Sequence, residues 1–268
     1  MGLSFHLTTL RGTALAIGIF DSGVGGLTVY KTISEHFPKL DIHYLGDTAR
    51  VPYGSRSKET VISYSLQCAG FLADSFDIDT IIVACNTASS YAIDDIRLKY
   101  GVNVIGVVEP GAKSAVEATK NGHIGVIGTR ATVRSGSYVK ALHDIRPDAK
   151  IEQEACPLFV PIVEEMLVDT DIARSVVRHY LDKLVSTGVD TLILGCTHYP
   201  LLKTVISEFY PHLSIVDSSE AIIACIDRLG INTSQSGVRE IYLTDESPAF
   251  ETLKNVLAGG LMSKKAVL

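Results

Sequence analysis

Two cysteines stand at equivalent points of an internal repeat. Asp79-Thr-Ile-Ile-Val-Ala-Cys85 and Asp190-Thr-Leu-Ile-Leu-Gly-Cys196 lie 111 residues apart and are identical at four of seven positions. Each cysteine ends an apolar run typical of a buried strand, and each precedes polar residues that could open a helix, Asn86-Thr87 and Thr197-His198. A thiolate is a base and a thiol is an acid, so such a pair could move protons.

Two matched acid–base groups on opposite faces of a cleft can invert a stereocentre. One thiolate removes the α-proton of an amino acid, and the opposite thiol delivers a proton to the other face. The reverse reaction exchanges these roles, so the two groups must be similar in kind, which the duplication provides. A helix N-terminus would lower the pKa of each thiol from about 8.5 toward working pH. We therefore predict that Cys85 and Cys196 are catalytic.

Other roles for these thiols remain open at this stage. A buried cysteine is often a small core residue. A zinc site from Cys85, Cys196 and His198 would lack the usual closely spaced cysteine pair. A cysteine hydrolase with His198 as base would leave one thiol idle. Cys68 and Cys225 fall on helical patterns and are predicted to be packing residues, whereas Cys156 has no assignment.

The elements that must position the two thiols alternate along the chain. A glycine-rich turn at 21–26 separates a first strand from a helix that begins at Leu27, and strands and helices continue to alternate from there. The predicted strands cover 17–20, 42–45, 80–84, 102–108, 124–127, 191–194 and 213–216, and the clearest helices cover 58–76, 88–99 and 171–185. This alternation predicts parallel sheets covered by helices on both faces.

Further matches extend the repeat beyond the two cysteine-containing strands. Residues 103–105 match 214–216 at the same spacing, and 17–20 match 124–127 at a spacing of 107. We therefore predict an α/β fold of two pseudo-symmetric parallel-sheet lobes, with the active site in the cleft between them. Ligands of open α/β sheets bind at the carboxyl ends of the strands, where both cysteines are placed.

Composition excludes several classes of protein. The chain has 268 residues, a net charge of −6, 46% hydrophobic residues and five cysteines. The acidic excess disfavours a nucleic-acid partner, and no apolar run approaches the ~18 residues of a membrane helix. Residues 1–16 lack a basic start before an apolar run and are expected to form an N-terminal extension, not a secretory signal. The odd number of cysteines then predicts free thiols in the cytoplasm.

Four separated motifs resemble those of glutamate racemases. They are Ile-Gly-Ile-Phe-Asp-Ser-Gly-Val-Gly-Gly-Leu-Thr-Val at 17–29, Gly-Asp-Thr-Ala-Arg-Val-Pro-Tyr-Gly at 46–54, Ala-Cys-Asn-Thr-Ala at 84–88 and Gly-Cys-Thr-His-Tyr-Pro at 195–200. The resemblance covers 17 to about 229. It implies interconversion of L- and D-glutamate without cofactor or metal, supply of D-glutamate for peptidoglycan, and a homodimer. It also implies a discontinuous first lobe, 17–109 plus 217–268, around a second lobe at 110–216.

The resemblance also implies roles for individual residues. Cys85 would handle the proton of D-glutamate and Cys196 that of L-glutamate. Asp21 would assist the first thiol, although an aspartate before this turn is also a helix-capping or turn-forming residue. His198 would assist the second thiol. Glu164 matches the carboxylate of the second lobe, with Glu165 as the adjacent alternative.

Substrate binding is expected to fall on neutral donors near the strand ends. These hydroxyls, amides and backbone N–H groups can hold two carboxylates without arginine, aided by helix N-termini. The predicted binding residues are Asp21, Ser22, Tyr53, Gly54, Asn86, Thr87, Thr197 and His198, with Thr129 and Thr132 as further contacts. The turn at Gly23 and Gly25 resembles a dinucleotide fingerprint, but Thr28 replaces its third glycine.

Other functions are compatible with the same sequence pattern. The chain could be a glutamate- or aspartate-binding module that kept the fold and lost the chemistry, or a related aspartate racemase or decarboxylase.

An amino-acid α-proton is so weakly acidic that its removal needs more than general acid–base catalysis, which alone supplies roughly 10²–10⁴-fold. We therefore expect the lobes to close around the substrate, excluding water.

Overall fold

The computed structural model describes residues 16–228, 236–246 and 248–268. The extension predicted at 1–16 lies outside these residues except for Ala16, which begins the first strand. The strands in chain order are β1 Ala16–Asp21, β2 Ile42–Gly46, β3 Ile78–Val83, β4 Asn103–Gly106, β5 His123–Gly128, β6 Lys150–Ala155, β7 Thr191–Gly195, β8 Ser214–Asp217, β9 Arg239–Leu243 and β10 Ser263–Lys265.

Helices connect these strands and cover the faces of the sheets. They are α1 Leu27–His36, α2 Lys58–Ser75, α3 Asn86–Ser89, α4 Ile93–Tyr100, α5 Val108–Ala118, α6 Arg130–Ser135, α7 Ser137–Ile145, α8 Phe159–Glu164, α9 Asp171–Ser186, α10 Lys203–Phe209, α11 Ser218–Ala221, α12 Ile223–Arg228 and α13 Pro248–Ala258. Within the ranges given above, no helix combines the length and apolar character needed to cross a bilayer.

The strands form two wholly parallel sheets. The first sheet has the order β10-β9-β2-β1-β3-β4 and the second has the order β6-β5-β7-β8. Strands β2-β1-β3-β4 and β6-β5-β7-β8 therefore follow the same order. The register matches too, because Ile17 pairs with Thr80 in the first sheet and Ile124 with Thr191 in the second. The predicted fold class of two parallel-sheet α/β lobes is confirmed.

The central strands are buried on both faces of their sheet. In the first lobe, Ile19 and Ile82 pack into one apolar cluster, whereas Phe20 and Ile81 pack into another on the opposite face. All four side chains are fully buried. Continuous apolar runs are typical of such doubly covered parallel strands. The rigid centre of each sheet fixes the strand ends from which the two thiols project.

The structure corrects two predicted elements close to Cys85. The helix predicted at 88–99 is divided into α3 and α4, with a break at 90–92 where Ser90 Oγ donates to the carbonyl of Asn86 and contacts Ser137 Oγ. A serine that bonds the carbonyl four residues earlier bends a helix. The strand predicted at 102–108 ends at Gly106, because Val108 already begins α5.

Three strands carry no clear signal in the sequence. Four of the six residues of strand β6 are charged or polar, and the strand pairs with β5 at the edge of its sheet. Strands β9 and β10 extend the first sheet on the side of β2. Strands β6 and β10 lie at sheet edges and bury less apolar surface, so the hydrophobic pattern used to find the central strands is weak in them. Strand β9 lies inside its sheet, but it begins with the charged residues Arg239 and Glu240.

Candidate active site

Both repeat cysteines line one cavity between the lobes. Cys85 lies two residues beyond the end of β3 and Cys196 directly follows β7, so each projects from the carboxyl end of its sheet. The cavity has a volume of about 20 Å³. Its lining residues are Ser22, Val51, Pro52, Tyr53, Gly54, Cys85, Asn86, Thr87, Thr129, Val160, Cys196, Thr197 and His198.

The structure brings most of the predicted site residues to this cavity. Asp21 and Glu164 stand behind the lining, where each contacts a residue of the wall. Thr197 Oγ1 donates to Asp21 Oδ1 at 3.3 Å, and His198 Nε2 lies 3.1 Å from Glu164 Oε1. Thr132 contacts Thr87 through its hydroxyl at 3.2 Å and is not among the lining residues.

Three lining residues were absent from the sequence-based prediction. Val51, Pro52 and Val160 are apolar and carry no chemical signature. Val51 and Pro52 belong to the motif at 46–54, so their closeness to Tyr53 was the one signal that could have included them. Val160 lies in α8, the helix that ends with Glu164, and only the packing of that helix brings it to the cavity.

We call Cys85, Ser22 and Asp21 the Cys85 half-site. Cys85 caps α3, where its Sγ accepts a hydrogen bond from the backbone N–H of Ala88 at 3.5 Å. The thiol also contacts Ser22 Oγ at 3.6 Å. Burial, and then the negative charge of Asp21, raise the pKa of Cys85 to about 12, although the Ala88 and Ser22 hydrogen bonds oppose this shift. The prediction that the helix N-terminus lowers the pKa of Cys85 is therefore wrong, because burial raises this pKa by more than the hydrogen bond at the helix N-terminus lowers it.

Asp21 combines a structural role with an electrostatic one. Its Oδ2 accepts hydrogen bonds from the N–H groups of Gly23 at 3.0 Å and Gly26 at 3.1 Å, which hold the glycine-rich turn. The carboxyl group is fully buried. Burial raises its pKa, whereas the charge of His198 and the hydrogen bonds to the turn lower it. Asp21 is therefore both the predicted turn former and a negative charge that raises the pKa of Cys85.

We call Cys196, His198 and Glu164 the Cys196 half-site. Cys196 Sγ lies 3.8 Å from His198 Nδ1, and Glu164 contacts the opposite ring nitrogen. Burial alone would lower the pKa of His198, but the hydrogen bonds to Cys196 and Glu164 and the charges of both raise it to about 10. Glu165, the alternative carboxylate, is exposed.

The predicted helix start after Cys196 is not formed. The chain enters a short 3₁₀ turn, Tyr199–Leu202, before α10 begins at Lys203. Pro200 near the start of this turn has no backbone N–H to donate. The two thiols thus differ in their partners, because Cys85 has a helix N–H and Cys196 has an imidazole.

Hydrogen bonds connect the two lobes around the cavity. Asn86 Nδ2 donates to Tyr138 Oη at 2.7 Å, and the hydroxyls of Thr87 and Thr129 lie 2.9 Å apart. Asn86 Oδ1 is buried and has no hydrogen-bond partner within the part of the chain that the structure describes. A buried acceptor without a partner is costly, so this oxygen is available to a polar ligand.

Two glycines allow the lobes to approach each other closely. A Cβ at Gly25 would lie 2.6 Å from the His198 ring, and a Cβ at Gly54 would lie 2.5 Å from Thr129 Cβ. Both distances are too short for a real side chain. The glycine-rich turn therefore packs against the second lobe, which agrees poorly with an open phosphate cradle of the dinucleotide-binding type.

The sequence of the chain matches a known family. Residues 17–226 match the Asp/Glu/hydantoin racemase family. The chain belongs to this racemase family. It is 56% identical to a glutamate racemase from Sulfurihydrogenibium sp. over 254 residues, which cover 95% of this chain and 98% of the relative.

Solved structures of glutamate racemases resemble this racemase-family chain over nearly its whole length. The enzyme from Aquifex pyrophilus has 50% sequence identity and a TM-score of 0.82, covering 94% of this chain and 98% of that one. The enzyme from Francisella tularensis, in complex with D-glutamate, has 32% identity and a TM-score of 0.87, covering 95% of this chain and 97% of that one.

The remaining cysteines of this racemase-family chain are not among the residues that line the cavity. All five cysteines are free thiols. Cys68 is fully buried against Tyr53 Oη at 3.6 Å, and Cys156 is fully buried with its carbonyl bonded by Tyr199 Oη. Cys225 is half-buried beside Arg228.

Over residues 16–228, 236–246 and 248–268, no three His, Cys, Asp or Glu side chains group as metal ligands, so Cys85, Cys196 and His198 do not assemble the alternative zinc site.

Proposed function

We propose that this chain is a cofactor-independent glutamate racemase that interconverts L- and D-glutamate by two-thiol proton transfer. The observation that carries this proposal is that Cys85 and Cys196, from duplicated strands of opposite lobes, line one cavity. The relatives named glutamate racemases, one of them solved with D-glutamate, support glutamate as the substrate.

The two half-sites start the reaction in different protonation states. Cys85 is a neutral thiol at pH 7, because its pKa is about 12. His198 is protonated at this pH because its pKa is about 10, and its imidazolium lies 3.8 Å from Cys196 Sγ, where it stabilises negative charge on the sulfur. L-Glutamate then loses its α-proton to Cys196, and Cys85 donates its proton to the opposite face of the carbanion. This leaves a thiolate on Cys85, the state that D-glutamate requires for the reverse reaction.

The polar wall of the cavity matches the groups of glutamate. We assign the α-ammonium to the unpartnered Oδ1 of Asn86, which is an acceptor. The carboxylates take the hydroxyl groups of Ser22, Thr87 and Thr197 and the backbone at Tyr53-Gly54. Fixed donors at a buried site also stabilise the charge that develops as the α-proton leaves. Thr129 supplies a further hydroxyl from the second lobe.

Substrate entry requires the lobes to separate. A cavity of about 20 Å³ holds one or two water molecules, and glutamate is several times larger. We expect the open form to predominate without substrate and the lobes to close around bound glutamate, so the glutamate-bound protein should be more compact in solution X-ray scattering than the ligand-free protein. An unchanged radius of gyration at saturating glutamate would contradict this closure.

The wider assignments belong to the same proposal. We place the first lobe at 17–109 plus 217–268 and the second at 110–216, which the membership of the two sheets supports. We also propose a homodimer in the cytoplasm that supplies D-glutamate for peptidoglycan. Sedimentation velocity tests the dimer, and growth of a D-glutamate auxotroph carrying this chain tests the supply.

Exchange in D₂O tests the activity directly. L- and D-glutamate are incubated separately with the protein, and optical rotation and α-deuterium content are followed. We expect each enantiomer to lose its rotation while the product gains one α-deuterium. Tight glutamate binding without exchange would support the binding module instead, and faster exchange of aspartate would support an aspartate racemase.

A further inference from the structure

A buried carboxylate lies behind the cavity wall, outside the two half-sites. Asp47 follows β2 and is fully buried. Its Oδ2 accepts hydrogen bonds from Tyr53 Oη at 2.5 Å and from Arg50 Nε at 2.6 Å. Its Oδ1 accepts a third from Thr244 Oγ1 at 3.0 Å. Buried charges persist only where such partners satisfy them.

Thr244 reaches this carboxylate from a distant part of the chain. It follows β9 and lies beyond residues 17–226, which match the family. Its hydroxyl accepts a hydrogen bond from the backbone N–H of Ala49 at 2.9 Å while it donates to Asp47. Its own N–H donates to the carbonyl of Gly46 at 3.1 Å. The hydroxyl group thus accepts from one neighbour and donates to the other through a single atom.

Tyr53 connects this cluster to the cavity. Its side chain is buried, with only 1% exposed, and its hydroxyl is bound by Asp47. Tyr53 and Gly54 line the cavity, and Gly54 packs against Thr129 of the second lobe. The orientation of Asp47 therefore sets both the shape of this wall and a contact between the lobes.

We propose that Thr244 is a positioning residue for racemisation, acting through Asp47 on Tyr53 and the substrate-binding wall at 51–54. This inference rests on the proposed function. Loss of the hydroxyl leaves Asp47 Oδ1 and the Ala49 N–H without their partner, and the carboxylate turns or shifts to find another. Tyr53 and Gly54 move with it, so substrate binding weakens while the two thiols stay in place.

Thr244→Val removes the hydroxyl and keeps the side-chain shape. We expect about a tenfold rise in KM for both enantiomers and in the Kd of glutamate measured by calorimetry, with kcat changed less than threefold, the size of effect of one hydrogen bond to a buried charge. Thr244→Ser restores the hydroxyl and should return KM to within about twofold of wild type. Thr252→Val, an exposed threonine elsewhere in the C-terminal part of the chain, is the matched control and should change nothing.

A double-mutant cycle tests the path through Tyr53. Tyr53→Phe removes the hydroxyl that is hydrogen-bonded to Asp47. The double variant Tyr53→Phe/Thr244→Val should therefore have a KM less than about twofold above that of Tyr53→Phe alone. The inference would be overturned if Thr244→Val raised the KM of Tyr53→Phe by the full tenfold. It would also be overturned if Thr244→Val left the wild-type KM unchanged, or if Thr244→Ser failed to restore the KM. An inactive wild type would refute the proposed function, and the glutamate Kd values would then still decide the role of Thr244.

Discussion

The two half-sites share a scaffold but not their helper groups. At the spacings of the repeat, Cys85 corresponds to Cys196 and Ser22 to Thr129, so thiol and hydroxyl are preserved. Asp21, however, corresponds to Gly128, and His198 corresponds to Thr87. Each lobe therefore supplies one ionisable helper at a position where the other lobe has none.

The duplicated strands supply the two thiols, whereas each ionisable helper belongs to one lobe. The duplicated strands place two thiols at equivalent strand ends, as the proposed reversible proton transfer needs. The helpers then set opposite electrostatic environments, because Asp21 disfavours a thiolate on Cys85 and the His198 imidazolium favours negative charge beside Cys196. In the proposed mechanism, this asymmetry suits Cys85 to donate a proton and Cys196 to accept one when L-glutamate reacts.

Removal of either thiol should have the largest effect. Cys85→Ser and Cys196→Ser should each reduce racemisation by about 10²–10⁴-fold, because an alcohol is a much weaker acid than a thiol. Exchange in D₂O should separate the two variants: Cys196→Ser should retain α-deuterium exchange of D-glutamate, and Cys85→Ser that of L-glutamate. Cys225→Ser, outside the cavity, is the control, and normal racemisation by both site variants would contradict the two-thiol mechanism.

Replacement of a helper should affect the two proton transfers unequally. L- and D-glutamate have equal free energies, so kcat/KM must fall equally in both directions, and only isotope effects can identify the slowed step. His198→Asn should reduce kcat/KM by about 10–100-fold. It should also raise the isotope effect for α-deuterated L-glutamate and lower that for the D-enantiomer, because transfer at Cys196 becomes limiting.

Asp21→Asn provides the mirror experiment. Its amide oxygen can still accept from the N–H groups of Gly23 and Gly26, so the turn is preserved. Loss of the Asp21 charge lowers the pKa of Cys85 and makes its thiolate a weaker base toward the α-proton, so the isotope effect should now rise for α-deuterated D-glutamate. Equal changes for both enantiomers in both variants would show that each helper serves the whole cavity and not one thiol.

The carboxylate behind His198 should have a smaller effect. Glu164→Gln keeps the shape but removes the charge that supports the imidazolium, so we expect about a tenfold loss of kcat/KM. Glu165→Gln, one residue further along and exposed, is the matched control and should retain full activity. A larger loss in Glu165→Gln would reassign the second-lobe carboxylate.

The sequence predicted the parts of the molecule that repeat. Central strands are continuous apolar runs, so β1, β3, β5 and β7 and the two cysteines at their ends could be located from the pattern. The polar edge strand β6 lacks that pattern. The raised pKa of Cys85 could not be predicted, because it depends on how completely the closed lobes exclude water. The contact between Asp47 and Thr244 joins residues from opposite ends of the chain and has no local signal.

The pH dependence of stability compares the helpers without substrate. The pKa of His198 is about 10 in the folded protein and about 6.5 when unfolded. Its contribution to the free energy of unfolding is therefore fully present below pH 6.5 and is lost as the pH rises through 10. The stability difference between wild type and His198→Asn, measured by urea unfolding, should narrow by up to about 1.4 kcal/mol per pH unit across this window. Asp21→Asn keeps His198 and its partners Cys196 and Glu164, so its stability difference from wild type should change less across this window. A constant difference for His198→Asn would mean that the imidazole is neutral in the folded protein, and Cys196 would then lack the positive charge that distinguishes its half-site.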